Sequence, residues 1–265
     1  MPPREDNRLY AAVQGLSISL ADRIIVLSEI HRGSLTCFGK SLESVDVVHH
    51  GEFGIGVVTS DVPLSRQILF FGRLLPYKGI DILIDAFKLL VQRYPDYRLV
   101  VAGRGTVPPK LKALAINSRV EIYNDWLSDK EINRKCIESD FAVFPYIDAS
   151  QSGAVAVAQS LGRPVIVTRV GGLPEQIIEG ETGLIVPPSN AQALTCAMEQ
   201  LINNPQMAIA MGKKARHLYT TSFNWEAMAE QTVQVYYRAL AGRQKRCMVG
   251  ITNLAKVVLS ELILG

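Results

Sequence analysis

Two cations, Arg73 and Lys78, lie on a short segment that follows the predicted strand Gln67–Phe71. Pro76 and Gly79 in the same segment indicate a loop. Arginine and lysine side chains neutralise phosphate charge and donate hydrogen bonds to phosphate oxygens. The pair therefore suits a diphosphate, although two solvated surface cations would produce the same local pattern.

A polar loop with the sequence DASQSG precedes a predicted helix of small residues over Ala154–Leu161. The first N–H groups of a helix have no partner inside the helix and can face an anion. Glycine in such a loop allows a phosphate or another backbone to come close. The candidate contacts in this segment are Asp148, Ser150, Gln151, Ser152, Gly153 and Ala154. Strand–loop–helix units of this kind also occur in α/β folds that bind no ligand there.

Further candidates lie at other predicted strand ends. Gly72 opens the first loop, Gly103 and Gly105 flank Arg104 after a second strand, and the pair Gly171 and Gly172 follows a third. Glu175 is placed at the start of a helix predicted from Pro174 onward, where it either accepts hydrogen bonds from sugar hydroxyls or complements the helix dipole. In open α/β sheets the carboxyl ends of the strands are where ligands bind.

The elements that position these loops alternate between strand and helix from Gln67 to Val186. Short, continuously apolar runs predict strands that are buried on both faces, and Ile80–Gln92 has the apolar spacing of an amphipathic helix. Ser128 followed by Glu131 predicts a capping box. The pattern predicts an α/β fold with a Rossmann-like, doubly wound parallel sheet.

Composition narrows the class of protein. The 265 residues are 48% hydrophobic, so the chain can bury a sizeable core, and the net charge of +3 gives no argument for nucleic-acid binding. Four scattered cysteines indicate reduced thiols, with no metal-ligand spacing. No apolar run reaches membrane-spanning length. These features predict a cytoplasmic protein without a bound metal or other cofactor.

The first fifty residues contain two predicted strands, Ile24–Leu27 and Val45–Val48, with a helix from Ser28 to about Gly39 between them. Two strands are too few for an independent α/β domain, which predicts the remnant of a second Rossmann-like domain. The predicted division is residues 1–55 for this remnant, 56–66 for a linker, 67–223 for a ligand-binding domain, and 224–265 for C-terminal helices. We expect these helices to pack on the remnant or on a partner. The apolar segment 247–264 is compatible with a packing helix or with peripheral membrane contact.

The order of four segments resembles the donor-binding C-terminal domain of GT-B fold retaining glycosyltransferases of the family-4 group, the glycosyl transferases group 1. These segments are FFGRLLPYKGIDILIDAF, YRLVVAGRG, SDFAVFPY and SLGRPVIVTRVGGLPEQIIEGETGLIVPP. ADRIIVLSE and VDVVHHG resemble the last elements of the N-terminal, acceptor-side domain of that fold. The resemblance covers roughly residues 9–240. Each segment alone is unspecific, whereas the order of all four is specific.

The resemblance implies that Arg73 and Lys78 hold the diphosphate of a nucleotide sugar of the UDP or GDP type. It also implies that the loop before Ala154 holds the sugar and the nucleotide. The family usually has two glutamates there, whose positions are occupied by Ala149 and Val157. Asp148 is one residue out of register and is the candidate for the first acid; nothing obvious replaces the second. Arg73, Lys78 and Asp148 are therefore the predicted catalytic residues.

The predicted function is transfer of a sugar, with retention, from a nucleotide-diphosphate sugar to an unknown acceptor. The alternative is a non-catalytic, truncated or split-gene subunit that binds the donor and needs a partner chain for activity. A partner chain or a homo-oligomer would then cover the missing N-terminal domain. A nucleotide-sugar epimerase fits the fold but not the loop segments. The predicted location is the cytoplasm, with peripheral contact at the inner face of a membrane as a further option.

Overall fold

The computed structural model describes residues 8–51, 64–115 and 119–243. The described residues up to His49 form one compact unit with those from Glu226 onward, and His50–Trp225 form a second. In these ranges the strands are β1 (Ile24–Val26), β2 (Val45–Val47), β3 (Gln67–Phe71), β4 (Arg98–Ala102), β5 (Val120–Tyr123), β6 (Phe141–Phe144), β7 (Val165–Thr168) and β8 (Gly183–Val186). The helices are α1 (Arg8–Leu20), α2 (Glu29–Ser34), α3 (Ile80–Leu90), α4 (Pro109–Ala115), α5 (Asp129–Ile137), α6 (Gly153–Ser160), α7 (Ala191–Asn203), α8 (Pro205–Thr221) and α9 (225–243).

The second unit is built on a six-stranded sheet with the order β5-β4-β3-β6-β7-β8. Every neighbouring pair in this sheet is parallel. The chain builds outward from β3 through β4 to β5, and then returns to the other side of β3 with β6. The strand order therefore reverses between β3 and β6, and ligands bind at such a reversal, outside the carboxyl ends of the strands. The predicted doubly wound parallel sheet is confirmed.

The strands at the centre of this sheet are apolar on both faces because helices cover both faces. All residues of β3, β6 and β7 are buried. α3 buries one side of its surface, with Leu83, Ile84 and Phe87 at most 1% exposed. The spacing of these apolar residues predicted that face correctly. The resulting core holds the strand ends, and hence the loops that leave them, in a fixed arrangement.

Two local signals determine where helices begin in this unit. The Ser128 side chain accepts from the Glu131 N–H and the Glu131 carboxylate accepts from the Ser128 N–H, so the predicted capping box is present. Asn190 caps α7 with a single hydrogen bond, in which its side-chain oxygen accepts from the N–H of Ala193 at 2.9 Å. Each cap satisfies a backbone donor that the helix itself leaves open.

The first unit contains a two-stranded parallel sheet, in which Ile24 pairs with Val45. Asp46 connects three parts of this unit. Arg23 Nε lies 2.6 Å from its Oδ2, and Arg238 of α9 lies 2.9 Å from its Oδ1.

The predicted border between residues 55 and 56 lies outside the described residues, as does the predicted apolar segment 247–264. In the three ranges given above, no helix is both long enough and apolar enough to cross a membrane.

Two predicted helices are shorter in the structure. The helix expected from Ser28 to about Gly39 is α2, followed by the 3-10 helix Leu35–Phe38, because Gly33 weakens the helix interior and Gly39 adopts the left-handed conformation that ends it. The helix expected from Pro174 is only the 3-10 turn Pro174–Gln176, after which the backbone becomes extended.

Candidate functional site

Two of the predicted loops run side by side at the carboxyl edge of the sheet. The N–H of Gly72 donates to the carbonyl oxygen of Ala102 at 2.9 Å, and the N–H of Leu74 donates to the carbonyl oxygen of Arg104 at the same distance. Leu74 and Gly105 also form an isolated parallel bridge. The loop that carries Arg73 is therefore an extension of the pairing between β3 and β4.

The same loop is joined to the segment that follows β6. The N–H of Ile147 donates to the carbonyl oxygen of Tyr77 at 2.8 Å. The ammonium of Lys78 lies 3.6 Å from the centroid of the Tyr146 ring. A cation at this distance from an aromatic face is attracted to it by about 0.5–2 kcal/mol, depending on its solvation. Lys78 is thus held by a ring from a different strand end.

The loop after β6 is also joined to the two glycines after β7. The N–H of Gly172 donates to the carbonyl oxygen of Ser150 at 2.9 Å. Gly171 has a φ of +48°, and a Cβ atom placed on it would lie 1.5 Å from the Ala149 carbonyl oxygen. Only glycine fits both the backbone conformation and the contact. The structure therefore brings together four strand ends that are distant in sequence.

The helix expected over Ala154–Leu161 is α6, which begins at Gly153, one residue earlier than predicted. The Ser152 side chain does not cap it; its Oγ lies 3.1 Å from the Tyr146 hydroxyl. The N–H of Ser152 donates to the side-chain oxygen of Gln176 at 2.9 Å. The N–H groups of the next three residues, Gly153, Ala154 and Val155, have no acceptor among the described residues. These donors lie where an anion would be stabilised.

Charge at this edge comes from a few side chains of different exposure. Arg73 is exposed and forms no ion pair with any residue that the structure describes. Lys78 is half-buried, Asp148 is exposed, and Glu175 is partly exposed on its 3-10 turn. Burial raises the pKa of Tyr146, with the Ser152 hydrogen bond acting against that rise. Its hydroxyl is therefore neutral at physiological pH.

Two residues that were not predicted from the sequence also belong to this group. Tyr146 is fully buried and contacts both Lys78 and Ser152. Gln176 is buried, and its amide exchanges two hydrogen bonds with the backbone of Ser152. A tyrosine directly after Pro145 at a strand end was a usable signal, because a buried hydroxyl needs a partner. No signal in the sequence pointed to Gln176.

A family model for glycosyl transferases group 1 matches residues 65–204, which is more than half of the chain. The chain belongs to this family. The match covers all the loops described above. It therefore identifies the second unit as a group 1 glycosyltransferase domain.

Two curated relatives of this group 1 chain have known names. D-inositol 3-phosphate glycosyltransferase of Corynebacterium aurimucosum is 33% identical over 190 residues, which are 68% of this chain and 45% of that protein. Glycogen synthase of Mycobacterium tuberculosis is 28% identical over 250 residues, which are 90% of this chain and 59% of that protein. The chain thus spans about half the length of the curated relatives it matches.

A solved structure similar to this group 1 chain is that of HepE from Anabaena, determined in complex with UDP. It has a TM-score of 0.76 and 19% identity, and the match covers 90% of this chain and 70% of HepE. At this identity the likeness concerns the fold. It agrees with the predicted fold class, a Rossmann-like GT-B sheet.

Proposed function

We propose that the second unit binds a nucleotide-diphosphate sugar and that the protein transfers its sugar, with retention, to an acceptor. Tyr146 contacts both Lys78 and Ser152, the residue that directly precedes α6. It thereby connects a cation with the open N–H groups at the start of that helix, and this arrangement is the observation that carries the proposal. A diphosphate needs positive charge and several donors close together. Membership of the group 1 family and the UDP bound by the related HepE support this choice of ligand. We place the chain in the family-4 group on the four sequence segments that resemble it.

In this proposal Arg73 and Lys78 neutralise the diphosphate, and the N–H groups of Gly153 and Ala154 donate to its oxygens. Fixed charges and dipoles of this kind stabilise the negative charge that develops on the departing nucleotide. Asp148 and Glu175 would accept hydrogen bonds from sugar hydroxyls, because an ionised carboxylate is only an acceptor.

The predicted glycines bring the loops of the site close together. A Cβ atom on Gly103, Gly105 or Gly171 would lie 2.1, 2.4 or 1.5 Å from a carbonyl oxygen of a neighbouring loop, so these three glycines allow backbone contacts between the loops. Gly72 and Gly172 are proposed to lie next to the nucleotide, with Ser150 and Gln151 as the polar contacts of the loop before α6. The proposal includes no metal ion and no further cofactor. Addition of EDTA is therefore expected to leave nucleotide binding unchanged.

Calorimetric titration with UDP, GDP, UDP-glucose and GDP-mannose tests donor binding. We expect at least one of them to bind the wild-type chain. The double variant Arg73→Ala/Lys78→Ala should bind it at least roughly 100-fold more weakly, since each charge-assisted hydrogen bond contributes about 1.5–3 kcal/mol and 1.4 kcal/mol is tenfold.

The matched control removes the same charge elsewhere. Lys88 lies in the last turn of α3, and Arg119 directly precedes β5, so both lie toward the opposite, amino edge of the sheet. The variant Lys88→Ala/Arg119→Ala should bind nucleotide as the wild type does. Equal affinity for all three proteins, or no binding of any nucleotide by the wild type, would reject the proposal.

A second candidate function is donor binding without transfer by this chain, with activity that depends on a partner chain. It is favoured by Ala149 and Val157, which occupy the two positions where the family usually has glutamates. The Ala149 side chain is buried, and neither side chain can accept a hydrogen bond. Release of sugar from radiolabelled donor separates the two candidates. Turnover by the purified chain supports the transferase, and NMR of the product's anomeric proton tests retention. Binding without any turnover supports the second candidate.

The location of the protein in the cytoplasm, with peripheral contact at the inner face of a membrane as a further option, stays a prediction.

A further inference from the structure

Tyr146 is the residue through which the cationic loop and the start of α6 are connected. It follows β6 and Pro145, and its side chain is 0% exposed. Its carbonyl oxygen accepts from the hydroxyl of Thr168 at 2.5 Å, which fixes its backbone to the end of β7. Its ring packs edge-on against Phe144, with 5.9 Å between the ring centroids. The side chain is therefore fixed from several sides.

The ring of Tyr146 holds Lys78. The ammonium lies 3.6 Å from the centroid of this ring and 5.2 Å from that of Tyr77. A lysine side chain is flexible and loses considerable rotamer entropy when it is held in one place. Contact with a buried aromatic face restricts the ammonium before any ligand arrives, so less of that entropy is lost on binding.

The hydroxyl of Tyr146 acts on the start of α6. A serine at the position before a helix normally accepts from an N–H group of the first turn. Here the Ser152 hydroxyl bonds Tyr146 at 3.1 Å instead and makes no cap hydrogen bond. Because this hydroxyl is held away from the helix, the N–H groups of Ala154 and Val155, which a serine cap would use, are left open to another acceptor.

We propose that Tyr146 is a positioning residue that holds Lys78 and the open N–H groups of α6 in the arrangement that one diphosphate needs. This inference rests on the proposed function. The ring fixes the cation and the hydroxyl keeps the helix start uncapped. The two effects belong to different atoms of one side chain, so substitutions can separate them.

The first test compares affinities for the nucleotide that the wild type binds, with inorganic pyrophosphate as a second probe. Tyr146→Phe keeps the ring and frees Ser152 to cap α6, so we expect binding to weaken about 5–10-fold. Tyr146→Leu also removes the ring, and we expect a loss of roughly 50-fold or more. These values follow from an ordinary hydrogen bond and an added cation–π contact.

The decisive readout is the coupling with Lys78. We expect Lys78→Ala to weaken binding by the same factor in the wild type and in Tyr146→Phe, and much less in Tyr146→Leu, where the ammonium is no longer held. A tyrosine that only supported the fold would give the same factor in all three backgrounds. Tyr94→Leu is the control: its hydroxyl bonds Asn203 at 2.9 Å, and no change in the Lys78→Ala factor is expected.

The second readout needs no ligand. Reductive ¹³C-methylation of the lysines gives one NMR signal for each ammonium, and Lys78→Ala identifies the signal of Lys78. In the wild type we expect this signal to be shifted upfield by the ring of Tyr146, and to remain so in Tyr146→Phe but not in Tyr146→Leu. An unshifted signal in the wild type overturns the inference.

The outcomes separate the two proposals. If the wild type binds no nucleotide, the proposed function fails and this inference fails with it. The inference alone is overturned if the wild type binds nucleotide and both Tyr146 variants bind it as tightly as the wild type does. It is also overturned if Lys78→Ala weakens binding by the same factor in all three backgrounds. Tyr146→Phe keeps the test valid even if Tyr146→Leu does not fold.

Discussion

Gly79 lies so close to Pro145 that a Cβ atom on Gly79 would be 1.8 Å from the Pro145 carbonyl oxygen. Gly79 also has a φ of +67°, a conformation that residues with a side chain rarely adopt. It ends the turn that carries Lys78 and directly precedes α3. This contact fixes the distance between the cationic loop and the end of β6.

Gly79→Ala should therefore destabilise the protein and disturb the site together. The left-handed conformation costs about 1–2 kcal/mol with a side chain, and relief of the clash adds roughly 1–3 kcal/mol. We expect urea unfolding to show a loss of about 2–5 kcal/mol in the free energy of unfolding, and nucleotide affinity to fall as well.

Gly180→Ala is the control for this substitution. Gly180 has a φ of +78°, but nothing lies within 4 Å of its Cβ position. The Gly180→Ala variant should lose only the cost of the left-handed backbone conformation, about 1–2 kcal/mol in the free energy of unfolding, and its nucleotide affinity should be unchanged. Equal losses for the two variants would show that the contact with Pro145 is unimportant.

The carboxylate of Asp140 binds the two residues that precede β3, although it is more than seventy residues away in the sequence. It accepts from the N–H and the hydroxyl of Ser65, each at 2.8 Å, from the N–H of Arg66 at 3.1 Å and from the hydroxyl of Tyr97 at 3.2 Å. Asp140→Asn leaves at least one of these donors without an acceptor. We expect a loss of about 1–3 kcal/mol in urea unfolding. Asp96→Asn, whose carboxylate is 69% exposed, should change stability by no more than about 0.5 kcal/mol.

The same carboxyl group should also give a pH dependence. Desolvation by burial raises the pKa of Asp140, against the lowering effect of its hydrogen bonds. The native state then keeps a proton that the unfolded chain releases, so this contribution to stability is complete below about pH 3.9 and is lost as the pH rises through the native pKa. Stability curves of wild type and Asp140→Asn, measured from pH 3 to 7, should therefore converge with rising pH. Parallel curves would contradict the shift.

Gln176 fixes the backbone of Ser152 through two hydrogen bonds, at 2.9 and 3.1 Å. Gln176→Met has a similar volume but can make neither bond, which leaves buried backbone groups unsatisfied. We expect a loss of roughly 2–4 kcal/mol in stability and weaker nucleotide binding, because the start of α6 is then free to shift. The exposed Gln192, in the first turn of α7, gives the control Gln192→Met, which should be close to wild type in both measurements.

The cysteines should differ sharply in reactivity. Burial raises the pKa of Cys136 to about 12, whereas Cys37 and Cys196 are exposed. The thiolate is the reactive form, so iodoacetamide at pH 8 should label Cys37 and Cys196 in the native protein and Cys136 only after unfolding. Peptide mass spectrometry measures each site separately. Rapid native labelling of Cys136 would show that the contact between α5 and the sheet opens readily.

The sequence determined the order of the elements and the edge at which the candidate site lies. Continuous apolar runs such as Phe141–Phe144 are readable because burial on both faces leaves no polar position, and the capping box at Ser128 is readable because its partners are three residues apart. Arg73, Lys78 and the glycines were found because each lies in a segment that follows a predicted strand.

Only the tertiary structure decided which of these strand ends meet. Tyr146 reaches Lys78, and Gln176 reaches Ser152, because β6 lies between β3 and β7 in the sheet. Strand order and side-chain direction are properties of the folded sheet, and neither has a local pattern in the chain. The hydrogen bond between the hydroxyls of Tyr146 and Ser152 joins residues six apart in one loop, and it too became visible only in the structure. The role of Ser152 as a ligand contact stays a prediction.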